Sequence, residues 1–210
     1  MNILELLNSG SKILKSKGIQ THQLDSEIML SCLLKKKREQ IIINSDKKVS
    51  SSTIDDFNKL IIKRSTKEPL AYILKKKEFW SKIFFVNRNT LIPRPETELL
   101  CDIVIKKTKS KTPYILDIGT GTGCILLSVL HEIKKAKGIG IDISKKAIEV
   151  AKKNSNNFGL NKRVKFFTRS LDNIYNYKFD LIVSNPPYIK TSDIKNLSDD
   201  VRKFEPKIAL

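Results

Sequence analysis

The sequence predicts an α/β protein: a small helical bundle, a β-hairpin, then a parallel sheet with helices packed on it. Apolar residues recur at helical spacing from residue 2 to about residue 66, and from Tyr114 onward short apolar runs alternate with helix patterns. Between the first such strand and its helix lies a glycine-rich turn, Gly119-Thr120-Gly121-Thr122-Gly123. Strands alternating with helices imply parallel pairing through right-handed crossovers, and a glycine turn at a strand's carboxyl end is where such sheets place ligands.

Taken in order, Leu4, Leu7 and Leu14 share a face of a first helix that Gly18 can end. Leu24, Ile28 and Leu34, with Met29 and Leu30, mark a second, finished by the solvated cations Lys35 to Arg38. Ser50 to Thr53 offers an N-cap to a third, carried by Ile54, Phe57, Leu60 and Ile61. His22 is expected at the surface or as a cap. These residues make a helical domain, 1–72, in which no chemistry is visible. A connector, 73–92, follows, where Glu78-Phe79-Trp80 and Lys82 to Val86 read as a hairpin. The remaining domain, 93–210, opens with a helix through Leu99 to Lys107; Pro95 suits its first turn, and Glu96 and Glu98 its positive end. Strands are predicted at 114–118, 139–143, 164–168 and 179–184, with helices at 124–134 and 145–158.

A chain of 210 residues can bury a real core, and it holds no apolar run near the ~20 residues that span a bilayer. Its first residues carry Glu5 and lack a basic stretch, so no signal peptide is read and cytoplasmic residence without membrane association is expected. Cys32, Cys101 and Cys124 have no metal-type spacing and read as free thiols; no metal is expected. The charge is +18, from 40 Lys and Arg against 22 Asp and Glu. An anionic partner and an AT-rich genome, which favours Lys, Ile and Asn, explain it equally well.

The chemistry is concentrated in two places. The glycine turn lets a ligand approach the backbone closely, and Asp142 at the end of the next strand can accept both hydrogen bonds of a ribose diol. The glycines at 119, 121 and 123 depart from the dinucleotide spacing, and nothing resembles a hydride-transfer site. They resemble motif I of class I methyltransferases, which bind S-adenosylmethionine. The second place is Asn185-Pro186-Pro187-Tyr188, at the end of the last predicted strand. Two prolines stiffen this loop and remove donors, leaving the Asn185 carboxamide and the Pro186 carbonyl as acceptors. A conjugated NH₂ group is a poor nucleophile, so the useful service is orientation: Asn185 and Pro186 accept its two N–H bonds and Tyr188 fixes its plane.

Asn-Pro-Pro-Tyr resembles the loop of methyltransferases that act on adenine N6, cytosine N4 or glutamine amides. Glu68 to Ile73, Glu78-Phe79-Trp80, Leu91 to Glu98 with its Arg94-Pro95-Glu96-Thr97-Glu98 core, and Phe204-Glu205-Pro206 resemble, over essentially the whole chain, the peptide-chain release factor glutamine methyltransferases of the HemK/PrmC family. That resemblance implies a class I, Rossmann-like domain and N5-methylation of the glutamine in the Gly-Gly-Gln motif of a release factor. It implies S-adenosylmethionine contacts at Gly119, Thr120, Gly121, Thr122, Gly123, Asp142, Ser170 and Asn185. Glutamine contacts are implied at Asn185, Pro186, Pro187 and Tyr188, with Asn185, Pro186 and Tyr188 catalytic. The helical domain is expected to bind the substrate, the release factor is the expected partner of a monomer, and nucleic acid is not required.

Departures are Arg169-Ser170-Leu171, where the family has an acid before a large apolar residue, and Lys75, where it has glycine. The strands counted are also fewer than in the full class I sheet. Ending at Leu210 predicts the Asn185 strand at an unfinished edge and a truncated, frameshifted or partial product with reduced or absent activity. The alternatives are an adenine-N6 methyltransferase on DNA or RNA, which would use the basic surface, and a non-catalytic release-factor-binding remnant.

Overall fold

The computed structural model describes residues 1–173 and 177–210. The chain divides into two compact units, Met1–Leu74 and Lys75–Leu210.

The first unit is helical: α1 Ile3–Ser16, α2 His22–Leu34, α3 Arg38–Ile43, α4 Ser51–Ser65 and α5 Leu70–Leu74. A capping box starts α1, with Asn2 Oδ1 accepting from Glu5 N at 2.8 Å and Asn2 N donating to Glu5 Oε2 at 2.9 Å. Ser50 caps α4. Leu6, Leu14, Met29, Leu30, Ile41, Phe57 and Ile61 fill the core.

Two faces differ from the sequence expectation. Leu4 and Leu24 are exposed, and α2 instead buries Asp25, Ser26, Met29 and Leu30. Asp25 pairs with Arg64 at 2.6 Å, and Ser26 Oγ donates to the Leu7 carbonyl at 2.9 Å. Because this buried face carries two polar side chains satisfied by distant partners, apolar periodicity points to the wrong side of α2. Arg38 starts α3 rather than finishing α2, since Lys35 ends α2 in the left-handed conformation and Ile41 is buried. A short helix, α5, also follows Pro69, carrying the helical unit to Leu74.

The second unit begins with the hairpin β1 Lys76–Phe79 and β2 Lys82–Phe85, which turns at Trp80 and Ser81 with φ of +50° and +53°. Positive φ at both central residues matches the twist of a two-residue hairpin. Phe79 and Phe84 pack edge-on in the unit's core, 6.0 Å apart. One 3-10 turn, Pro95–Thr97, leads into α6 Glu98–Lys107. Then come β3 Tyr114–Ile118, α7 Cys124–Glu132, β4 Lys137–Asp142, α8 Lys145–Asn157, β5 Val164–Thr168, β6 Leu181–Ser184 and α9 Asp199–Phe204. The helix α7 stops short of Lys134 because the chain turns into β4; Arg163 Nη1 holds that turn by donating to the carbonyls of Ile133, Lys134 and Ala136.

The sheet is parallel, four-stranded, and ordered β5-β4-β3-β6. The chain runs outward from β3 to β4 and β5, then returns to the far side of β3 with β6. The switch in direction therefore falls at the carboxyl end of β3, the place such sheets reserve for ligands. Among the described residues β6 pairs with β3 alone, and Ile182 on it is exposed. The sheet's main core lies against α6, α7 and α8, with Ile115, Leu126, Val129, Ile148, Phe166 and Val183 in it; Leu116, Ile139 and Ile141 form a smaller cluster.

Candidate active site

Strand register builds the site. Ile118 of β3 pairs with Ile141 of β4 and with Ser184 of β6, so Gly119 emerges between Asp142 and Asn185. Residues far apart in the sequence thus meet at one strand end.

The glycine turn is held from several sides. Its three glycines have φ of +71°, +55° and +78°, which only glycine adopts without strain. Gly119 N and Thr120 N both donate to the Ile141 carbonyl at 2.9 Å, and Gly121 N donates to Asp142 Oδ2 at 3.0 Å. The other Asp142 oxygen accepts from Ser144 N at 2.9 Å. Both carboxylate oxygens are thereby aimed while each keeps lone-pair capacity for a diol.

Behind the turn, Asn154 of α8 is fully buried. Its Oδ1 accepts from Phe85 N at 2.7 Å, while its Nδ2 donates to the carbonyls of Phe85 at 3.0 Å and Thr122 at 2.9 Å. One carboxamide thus ties the hairpin to the turn. Beneath the turn, Asp117 is 1% exposed, with Oδ2 accepting from Thr120 Oγ1 at 2.7 Å and Oδ1 unpartnered among the described residues. Burial pushes its carboxyl up to about 6; the Thr120 bond opposes the shift and the Asp142 charge adds to it. Burial also pushes the Cys124 thiol up to about 12, and that of Cys101 upward, so both are inert free thiols.

On the other side, Ser184 Oγ donates to the Ile118 carbonyl at 3.0 Å, fixing the backbone just before Asn185. Asn185 Nδ2 reaches Thr97 Oγ1 at 3.5 Å. Thr97 belongs to the stretch Arg94 to Glu98, which is tied at both ends. Arg94 Nη2 donates to the buried Glu205 Oε1 at 2.6 Å, Ile92 N donates to Glu205 Oε2 at 3.1 Å, and Trp80 N donates to Glu98 Oε1 at 2.8 Å.

These groups surround a cleft of about 330 Å³, within the range of small-ligand sites. Gly119 to Thr122, Asp142, Ser170 and Asn185 to Pro187 line it; Gly123 and Tyr188 do not. Gly123 faces Leu127 and Phe166 and starts α7, while Tyr188 is 80% exposed. Ile143 and Leu171 line the cleft as exposed apolar side chains, a pair suited to a flat ring. Ser170 Oγ bonds the Asp172 carboxylate at 3.1 Å, so an acid stands close to the position occupied by Arg169-Ser170.

Sequence reasoning missed Asn154, whose signal was an amide on the apolar stripe that Ala147, Ile148 and Ala151 trace along α8. It also gave no role to Thr97 or Glu205, which entered only as members of stretches that carry the resemblance. Among the described residues no group of ligating side chains could hold a metal ion, and no helix is long and apolar enough to cross a membrane.

Strand, glycine turn, helix, strand and terminal acid, with an Asn-Pro-Pro-Tyr loop on the neighbouring strand, define a Rossmann-like methyltransferase domain. Residues 95–200 match the family described as methyltransferase small domain, and residues 5–74 match the PrmC N-terminal domain. The chain belongs to the release factor glutamine methyltransferase family. It is 39% identical to the release factor glutamine methyltransferase of Caulobacter vibrioides, across 94% of this chain and 69% of that protein. Identity to the Leptospira interrogans protein of the same name is also 39%, across all of this chain and 75% of that one. It is 35% identical to a bifunctional methyltransferase of Rickettsia felis, of which it spans 45%. The chain thus covers less than half the length of the bifunctional relatives and about three quarters of some shorter ones.

Proposed function

We propose that the cleft binds S-adenosylmethionine and that the chain methylates the side-chain amide nitrogen of the glutamine in the Gly-Gly-Gln motif of a peptide-chain release factor. The helical unit, residues 1–72 in this reading, serves to hold that protein substrate. The observation that carries the proposal is the juxtaposition across Gly119: an aimed carboxylate, Asp142, on one side and the acceptor loop at Asn185 on the other.

The residues fit the cofactor. Asp142 keeps lone pairs for the ribose hydroxyls, Ile143 and Leu171 flank the space for an adenine ring, and the glycine turn leaves room for close approach. When bound, the cofactor supplies an electrophilic methyl carbon. The rest is done by the chain. Asn185 Oδ1 and the Pro186 carbonyl accept the two N–H bonds of the target amide, which turns its nitrogen towards the cleft. Tyr188, exposed next to this pair of acceptors, serves to fix the amide plane. Held by those two acceptors, the nitrogen would present its lone pair to the methyl carbon and would give up one of its two protons on alkylation.

The test offers S-adenosylmethionine labelled in the methyl group to the protein together with a release factor and DNA. Label on the release factor's glutamine is expected. Label on nucleic acid alone would reject the proposal.

A further inference from the structure

The proposed reaction asks one thing of Asn185 that its position alone does not secure. A carboxamide has an oxygen and an NH₂ of nearly equal size and opposite role, and only the oxygen can accept from the target's NH₂. Something must hold the amide plane and take up its own NH₂.

Thr97 stands where that is done. Its hydroxyl is 3.5 Å from Asn185 Nδ2, a long contact of the kind that tightens when a substrate is bound. The residue is buried, and Asn185 is the partner its hydroxyl finds among the described residues. Its backbone is also firmly held. Thr97 N donates to the Arg94 carbonyl at 3.0 Å, Pro95 sets the start of the turn, and Arg94 is locked at 2.6 Å to Glu205, itself buried. The next residue, Glu98, is held by Trp80 N at 2.8 Å. So rigid a mounting for one hydroxyl, opposite the one side chain that must aim the substrate, is what preorganised orientation requires.

We infer that Thr97 is a positioning residue for methyl transfer: it accepts a hydrogen bond from Asn185 Nδ2, fixes the carboxamide plane and leaves Oδ1 to the target amide. This rests on the reading of Asn185 as the residue that aims the acceptor.

Two measurements test it. The first does not depend on activity: the side-chain NH₂ resonances of Asn185, identified by their loss in Asn185→Asp, are followed by NMR. Thr97→Val, which keeps the shape and removes the acceptor, is expected to shift them, and Thr97→Ser to leave them in place. Unmoved resonances in Thr97→Val overturn the inference whether or not the protein is active. The second is kinetic, with a release factor as substrate. Thr97→Val is expected to lower kcat about tenfold with S-adenosylmethionine affinity within twofold of wild type, and Thr97→Ser to restore most of the rate. A Thr97→Val protein with undiminished kcat, or one whose loss lies in cofactor affinity, overturns it. Unfolding curves accompany each variant, and Thr97→Ala replaces Thr97→Val if the latter does not fold. A wild type that leaves release factors unlabelled while the NMR shift appears rejects the parent proposal and leaves the Thr97–Asn185 bond established.

Discussion

The two sides of the cleft are built in opposite ways. At the glycine turn, backbone N–H groups of Gly119, Thr120 and Gly121 have partners, Asp142 is anchored through both oxygens, and Asn154 holds the Thr122 carbonyl from behind. At the Asn185 loop, the prolines donate nothing, Asn185 makes one long side-chain contact, and Tyr188 stands 80% exposed. On the proposed function, the difference follows from what each side would receive. A small cofactor enters a site that can be finished in advance, and every bond made beforehand is ordering entropy not lost on binding. Under the proposed function, a glutamine on another protein's loop would have to be admitted from outside, which suits a side that stays open and takes its stiffness from proline rather than hydrogen bonds.

If this contrast is right, damage on the open side should change rate, and damage on the closed side should change stability or cofactor binding. The largest effect is expected for Asn185→Ala, with release-factor methylation slowed by about 10²-fold or more and S-adenosylmethionine affinity changed only a few-fold. Single-turnover rates alongside calorimetry check this, and a loss confined to cofactor affinity would erase the distinction. Next comes Asn154→Leu, which removes the partner of the buried Thr122 carbonyl and of the part-buried Phe85 N and carbonyl. A destabilisation of about 3 kcal/mol is expected in denaturant unfolding, with weaker cofactor binding.

Asp117 supplies a pH test of the closed side. Its carboxyl stands at about 6 when folded against an ordinary 3.8, so the folded protein holds that proton more tightly than the unfolded chain. Its favourable contribution is therefore complete below about pH 4 and disappears as pH rises through about 6, a difference on the order of 3 kcal/mol at most. Stability of wild type relative to Asp117→Asn should rise as pH falls from 7 to 4.5, and parallel profiles would refute the assignment. The smallest effect is expected away from both regions. Lys75 opens the hairpin with φ of +54°, a conformation that glycine accepts freely. Lys75→Gly should stabilise the fold by about 0.5–1 kcal/mol without altering catalysis, as unfolding and rate measurements would show.

Much of this was legible before any coordinates. The glycine turn, the strand at 114–118, Asp142 and the Asn-Pro-Pro-Tyr loop are local patterns, read from short apolar runs, turn residues and a terminal acid. Local patterns failed where a long-range partner overrode them. On α2, Asp25 and Ser26 face inward because Arg64 and the Leu7 carbonyl wait there, and Leu24 turns outward as a result. At the site, Asn185 meets Thr97 and Arg94 meets Glu205 across roughly half the chain. Composition and spacing dictated that a strand would end in glycines and another in Asn185. That the two strands are neighbours, with Ile118 level with Ser184, was settled by the pairing of β3 with β6, because hydrogen-bond register joins segments that share no local pattern.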